Sequence, residues 1–133
     1  MPHMELRLSR NLVERIDLAA LVTDLSDEMA ACGIFPLGGI RVRAIVCDPC
    51  AIGDRHPDNA FLDMQLRIGA GRTEEAIRTA GDRLFAFVKA RLGEELAAPH
   101  FMLSFDIQEI DPRFSWKENS IHARLRAEGD RQT

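Results

Sequence analysis

Apolar and polar residues alternate along four stretches of the chain, and this alternation predicts four β-strands. In the first stretch, residues 2–9, Met4, Leu6 and Leu8 alternate with polar side chains. A period of two is typical of a strand that buries one face and leaves the other against polar surroundings. The other three predicted strands are residues 40–48, 60–69 and 100–110.

Helical spacing replaces the alternation after the first and third strands. Gly33 follows the last apolar residue of the first helical stretch, where a glycine C-cap is typical. The second predicted helix covers about residues 73–96, with Thr73 as N-cap and Glu74 and Glu75 in a first turn that favours carboxylates. The apolar stripes are Leu18, Leu21, Val22, Leu25, Met29 and Cys32 in the first helix, and Ile77, Gly81, Leu84, Phe85, Val88 and Leu92 in the second.

The two halves of the chain resemble each other. Residues 4–8 (MELRL) align with residues 64–68 (MQLRI), and each copy is followed by a helix and a second strand. We therefore predict one α+β domain over residues 1–133, in which two β-α-β units form a four-stranded mixed sheet with two helices on one face. A right-handed crossover makes the two strands within each unit parallel. The repeat halves are about 2–48 and 60–111, and a C-terminal tail covers 112–133.

The second face of the predicted sheet is polar, so its groups must be hydrated or paired. The face therefore meets either solvent or other subunits, and three such sheets closed around an axis would cover these faces and protect the strand edges. In the tail we expect apolar anchors at Phe114, Trp116, Ile121 and Leu125, and fraying over residues 126–133. The polar face consists of Glu5, Arg7, Asp63, Gln65, Arg67, Ser104, Asp106 and Gln108.

Composition narrows the class of protein. Of 133 residues, 46% are hydrophobic and 29% charged, which is ordinary for a globular chain. The net charge of -4 argues against a generic nucleic-acid binder. No apolar run approaches the ~18 residues of a membrane-spanning helix, and no secretory signal precedes the first strand. The odd count of three cysteines, Cys32, Cys47 and Cys50, favours a reducing cytoplasm over a disulfide scaffold.

Pro2 is the first candidate for chemistry. Removal of Met1 would leave a secondary amine on a rigid ring, and burial or nearby cations would lower the pKa of such an amine toward neutrality. A base with a pKa near the working pH suits proton abstraction. From position alone, however, Met-Pro is more often only the start of a chain.

Arg41 and Arg72 are the candidate anion-binding residues. Arg41 follows a Gly-Gly turn, and Arg72 lies between a Gly-Ala-Gly turn and a predicted helix N-terminus, where backbone donors also favour anions. The guanidinium fork matches a carboxylate. Most arginines are nevertheless surface residues, and Arg43, on the same strand face as Arg41, is a weaker candidate.

Other candidates carry less weight. Cys47 and Cys50 have Cys-x-x-Cys spacing, but a structural zinc usually needs four ligands and a redox pair usually begins a helix. We therefore predict no metal and no cofactor. In the loop 48–59, Arg55 and His56 could border a pocket, although such loops are usually only solvated. Phe35 and Phe61 are expected to pack in the core rather than to line a pocket.

Three segments carry a family resemblance: the start MPH, residues 33–41 (GIFPLGGIR) and residues 68–72 (IGAGR). They resemble the 5-carboxymethyl-2-hydroxymuconate Δ-isomerase family, in the trimeric branch of the tautomerase superfamily. Further similar residues are Phe105, the run from Trp116 to Asn119, and Ile121 to Ala123, so the resemblance covers about residues 1–125.

The resemblance implies the same doubled β-α-β fold, a homotrimer and a cofactor-free isomerase. It also implies Pro2 as proton shuttle and Arg41 and Arg72 as contacts to substrate carboxylates. The implied substrate is a small anionic dienol, 5-carboxymethyl-2-hydroxymuconate, from homoprotocatechuate breakdown. Two alternatives stay open: a non-catalytic ligand-binding or interaction protein on this fold, and a tautomerase or dehalogenase-like hydrolase with another substrate.

Overall fold

A computed structural model describes the backbone of residues 1–132 and the side-chain surroundings of residues 1–129. It contains four strands and five helices, joined by loops and by two 3₁₀ turns at Leu37–Gly39 and Pro112–Phe114. In chain order the elements are β1 (His3–Ser9), α1 (Arg10–Val13), α2 (Leu18–Ala31), β2 (Arg41–Cys47), β3 (Ala60–Gly69), α3 (Glu74–Arg91), α4 (Gly93–Ala97), β4 (Phe101–Ile110) and α5 (Ser120–Gln132).

The four strands form one mixed sheet in the order β2-β1-β3-β4. Strands β1 and β2 are parallel, as are β3 and β4, whereas β1 and β3 pair antiparallel with Leu6 opposite Met64. Alternate side chains of β1 and β3 are fully buried, and they pack in one core with the buried stripes of α2 and α3. The predicted α+β fold, a four-stranded mixed sheet with both long helices on one face, is confirmed.

Local signals place the helix ends where the sequence predicts them, with one exception. Thr73 Oγ1 accepts a hydrogen bond from the Ala76 N–H at 3.1 Å, and Gly33 adopts the left-handed conformation with φ +79° after α2. The second long helix, however, is not continuous over residues 73–96. It ends at Arg91, the C-cap Leu92 has a non-helical φ of -106°, and α4 begins at Gly93. Glycine has a low helix propensity, which favours the break there.

The second face of the sheet carries cross-strand polar pairs. Glu5 accepts from Arg43 on β2 and from Arg7 on its own strand, and Ser104 Oγ donates to Asp63 at 2.7 Å. This face is polar, as predicted, and its groups are satisfied by one another and by solvent.

The tail differs from the prediction. Phe114, Trp116 and Ile121 are 67%, 88% and 50% exposed, so they are not core anchors, while Leu125 is half-buried. The core is already covered by α2 and α3, and these side chains do not reach it. Helix α5 extends over most of the stretch expected to fray, and Thr133 lies outside the described residues. None of the helices in the described part of the chain is long and apolar enough to cross a bilayer.

Candidate active site

Pro2 is buried at the start of β1, where the beginning of β2 and the end of β3 meet. Its carbonyl oxygen accepts a hydrogen bond from the Arg41 backbone N–H at 3.2 Å. The Gly38-Gly39 turn packs against it so closely that a Cβ at Gly39 would lie 3.3 Å from Pro2 Cδ. A Cβ at Gly38 would lie 2.6 Å from His122 Nδ1. The two glycines therefore let one turn contact both the Pro2 ring and helix α5.

Met1 fills the space beside Pro2. Its Sδ lies 3.8 Å from Arg41 Nη2 and 3.4 Å from Asn119 Nδ2. Its amine approaches the end of β3, because a Cβ at Gly69 would lie 3.5 Å from the Met1 nitrogen. The first residue thus lies between a guanidinium and a side-chain amide, two groups that bind carboxylates well.

A cleft of about 450 Å³ opens next to Met1. Its charged lining combines Arg41 from β2 with Lys117 and Glu118 from the segment after β4, and Trp116 and His3 complete the wall. Two cations thus face one carboxylate in this cleft, although the chain as a whole is acidic. The lining favours an anionic ligand.

Burial and charge act on the amino terminus in the same direction. Burial first, and then Lys117, Arg72 and Arg41, lower the pKa of the Met1 amine below its ordinary value. Burial and the three arginines at positions 41, 67 and 43 lower the pKa of His3 to about 4, so His3 is neutral at pH 7. An amine at this end of the sheet therefore loses its proton more readily than an exposed one.

Arg72 holds two backbone segments together. Its Nε and Nη2 donate to the Ile34 carbonyl oxygen at 3.1 and 2.9 Å, and its Nη1 donates to the Gly69 carbonyl oxygen at 3.0 Å. The guanidinium also lies 5.3 Å from the centre of the Phe35 ring. Of its five N–H groups, two remain for a ligand. Arg41 lines the cleft, whereas Arg72 acts on it through its charge and through the loop it fixes.

The remaining sequence candidates lie elsewhere. Phe35 is 6% exposed and belongs to the core, as predicted. The prediction that Phe61 packs in the core is wrong: it is half-buried and lies on the face of β3 opposite to buried Leu62. Arg43 is paired with Glu5. Three residues near Pro2 were not predicted as site residues from the sequence: His3, Lys117 and Asn119. Lys117 and Asn119 lie in a run without helical or strand periodicity, and only the family resemblance pointed to that run.

A second cleft, of about 480 Å³, lies where β1 and β2 end and β3 begins, and Cys47, Cys50, Arg55 and His56 help to line it. This cleft and Met1 lie at opposite ends of β3, whose ten residues span roughly 30 Å at a typical rise per residue. Arg55 and His56 therefore border a pocket, but not the one beside Pro2. Cys47 and Cys50 are free thiols.

Comparisons with known proteins agree with this architecture. A 5-carboxymethyl-2-hydroxymuconate Delta-isomerase from Escherichia coli is 38% identical over 123 residues, which covers 92% of this chain and 98% of the relative. The crystal structure of a 5-carboxymethyl-2-hydroxymuconate isomerase from Deinococcus radiodurans R1 superposes with a TM-score of 0.86 at 40% identity, covering 93% of each chain.

A more distant structure shares the fold alone. A fused 4-OT symmetric trimer superposes with a TM-score of 0.62 at 11% identity, over 87% of this chain and 93% of that one. The family profile described as 5-carboxymethyl-2-hydroxymuconate isomerase matches residues 2–125. The family predicted from the sequence motifs is confirmed: this chain belongs to the 5-carboxymethyl-2-hydroxymuconate isomerase family.

Proposed function

We propose that this chain is a cofactor-free isomerase that converts the dienol 5-carboxymethyl-2-hydroxymuconate to its keto form, a step in the breakdown of aromatic compounds. Its family and its relatives' names support the isomerase class. One structural observation carries the proposal: a buried Pro2 lies beside a cationic cleft in which burial and three cations lower the pKa of the amino-terminal group.

The proposal requires removal of Met1. In a Met1–Pro2 peptide bond the proline nitrogen is an amide and carries no basic lone pair, whereas a terminal proline is a secondary amine. The same cleavage removes the thioether between Arg41 and Asn119. A single processing step would therefore create the base and clear room for a substrate carboxylate beside it.

The proton transfer follows from this arrangement. The neutral Pro2 amine takes the proton from the 2-hydroxyl group as the C2=O bond forms and the conjugated double bonds shift to C3=C4. The electron pair arrives at C5, where the Pro2 ammonium returns the proton. The substrate's conjugation carries the charge, so the reaction requires neither a metal nor a nucleotide. Arg41 binds a carboxylate and stabilises the negative charge of the dienolate.

Arg72 has two roles in this proposal. Arg72 does not line the cleft while Met1 is present, so its two remaining N–H groups are proposed to bind a second carboxylate in the space that Met1 vacates. Its fixed positive charge, which lowers the pKa of the Met1 amine, is expected to act on the Pro2 amine in the same direction. Three bonds to carbonyl oxygens hold it in place, so the charge needs no reorganisation when the dienolate forms.

We also propose a homotrimer in the cytoplasm. The polar face of the sheet, the outer edges of β2 and β4, and the exposed Trp116 and Met102 are surfaces that subunit contacts would cover. Three free thiols suit a reducing compartment. The relationship in fold to a symmetric trimer supports the assembly.

The second candidate function is that of a non-catalytic binding protein. Retention of Met1 favours this function, because the Met1 thioether then occupies the space beside Pro2. Ultraviolet absorbance of the dienol distinguishes the two functions. Protein whose intact mass shows Met1 removed is expected to accelerate loss of the dienol above the buffer rate. No acceleration with that protein would exclude this isomerase activity.

A further inference from the structure

The segment that follows β4 supplies a cation that the sequence analysis did not assign. Lys117 lines the same cleft as Met1 and Arg41. Among the cations that act on the amino-terminal amine, it has the largest effect, ahead of Arg72 and Arg41. The cation with the largest effect on the amino terminus therefore comes from the segment after β4, on the wall of the cleft that Met1 and Arg41 also line.

Lys117 is available for a ligand. Within residues 1–129 no carboxylate lies within 4.0 Å of its ammonium, although Glu118 lines the same cleft and is the one negative charge there. The sequence contains one other lysine, Lys89, on helix α3, whose Nζ lies 5.8 Å from the centre of the Phe85 ring. Lys89 thus provides a matched control of the same residue type.

The proposed substrate needs a third cation. A muconate has a carboxylate at each end, and the carboxymethyl branch adds another. Arg41 and the remaining N–H groups of Arg72 account for two of them. The branch is attached to C5, the carbon that receives the proton from the amine, so its carboxylate must lie close to the amine in any productive orientation. Lys117 lines the cleft that opens beside Met1, the residue that precedes Pro2.

We propose that Lys117 binds the carboxylate of the carboxymethyl branch and thereby selects branched tricarboxylic dienols over unbranched 2-hydroxymuconate. This inference rests on the proposed function and assigns the specificity of the same site. It makes Lys117 a substrate-binding residue, while Pro2 remains the base for both substrates.

The test compares two substrates in four proteins: the Met1-free wild type, Lys117→Gln, Lys117→Arg and the control Lys89→Gln. Lys117→Gln is expected to lower kcat/KM for 5-carboxymethyl-2-hydroxymuconate by about ten- to a hundredfold, the range of one charge-assisted hydrogen bond. Both substrates are compared at a pH above the pKa of the Pro2 amine in each variant, where the charge of Lys117 no longer changes the protonation of the base. Under these conditions kcat/KM of Lys117→Gln for 2-hydroxymuconate should fall by less than about threefold. Lys117→Arg should restore most of the discrimination, and Lys89→Gln should match the wild type.

Equal losses on both substrates, or no loss on either, would overturn the assignment. If the wild type converts neither substrate, the proposed function fails, and binding then tests Lys117 separately. By titration calorimetry, Lys117→Gln should weaken binding of propane-1,2,3-tricarboxylate at least fivefold more than binding of glutarate. Equal weakening of both, or wild-type affinity for both, would overturn the Lys117 assignment independently of catalysis.

Discussion

The side-chain nitrogen Nδ2 of Asn119 lies 3.4 Å from Met1 Sδ. The same nitrogen donates to the Gly38 carbonyl oxygen at 2.8 Å, and Oδ1 accepts from the backbone N–H groups of Ile121 and His122. One residue therefore caps helix α5, fixes the turn that packs on Pro2, and faces the space that Met1 fills. The Asn119 amide therefore contributes both to the stability of the fold and to the shape of the proposed site.

Asn119→Ala should lose both roles. Losing an N-cap costs about 1 kcal/mol of stability, so the free energy of unfolding should fall by at least that amount, and kcat/KM should fall as the turn loosens. Asn119→Asp keeps the cap acceptor but has no donor for Gly38, so it should recover stability more than activity. Denaturant unfolding measures the free energy of unfolding of both variants, and steady-state kinetics measure their kcat/KM. Equal recovery of stability and of kcat/KM in Asn119→Asp would contradict the prediction.

Arg72→Ala should lower stability as well as activity, because it leaves the Ile34 and Gly69 carbonyl oxygens without their donors. An unsatisfied, partly buried acceptor costs about 1–3 kcal/mol, and the loop that carries Phe35 should become more mobile. Arg78→Ala, in helix α3 that follows, removes only an exposed ion pair with Glu74 and should change stability by less than about 0.5 kcal/mol. If both variants unfold alike, Arg72 does not hold the loop.

The rate should depend on pH through the base. Because the neutral amine accepts the proton, kcat/KM should fall as the pH drops through the pKa of the Pro2 amine. Burial and nearby cations lower the pKa of the Met1 amine, and the same surroundings are expected to lower the pKa of a free Pro2 amine relative to an unfolded peptide. Removing one cation in Arg41→Gln should move the inflection to higher pH, besides weakening substrate binding.

The profile of kcat/KM against pH for the wild type and Arg41→Gln measures this shift. His3 has a pKa of about 4, so it does not account for an inflection near neutral pH. An inflection that stays in place or moves to lower pH in Arg41→Gln would remove Arg41 from the electrostatic environment of the base.

Periodic patterns predicted the parts of the fold that depend on burial. Leu6 and Met64 are paired in the antiparallel contact between the two halves because both alternate with polar neighbours and both face the core. The break at Leu92 was not predicted, since residues 73–96 keep their helical spacing through it. Periodicity reports which face is buried and is insensitive to a local change in backbone angle.

The site was harder to predict because its residues come from strand ends and loops that are far apart in sequence. Arg41 and Arg72 were found from their turns, but the three carbonyl bonds of Arg72 depend on where residue 34 lies in space. Trp116 was expected to anchor the tail and instead borders the cleft, 88% exposed. An apolar side chain outside a regular element has no period that reveals its surroundings, and Lys117 beside it has none either.

The most direct test of the central claim compares the same chain with a free and a blocked Pro2. One sample has Met1 removed, as shown by intact mass, and the other carries an uncleaved extension before Met1 that keeps the proline nitrogen an amide. Ketonisation of 5-carboxymethyl-2-hydroxymuconate is followed by ultraviolet absorbance. The blocked protein should convert the dienol at least about 10²-fold more slowly, the lower range for a positioned base. Equal rates in the two samples would show that the Pro2 amine is not the base.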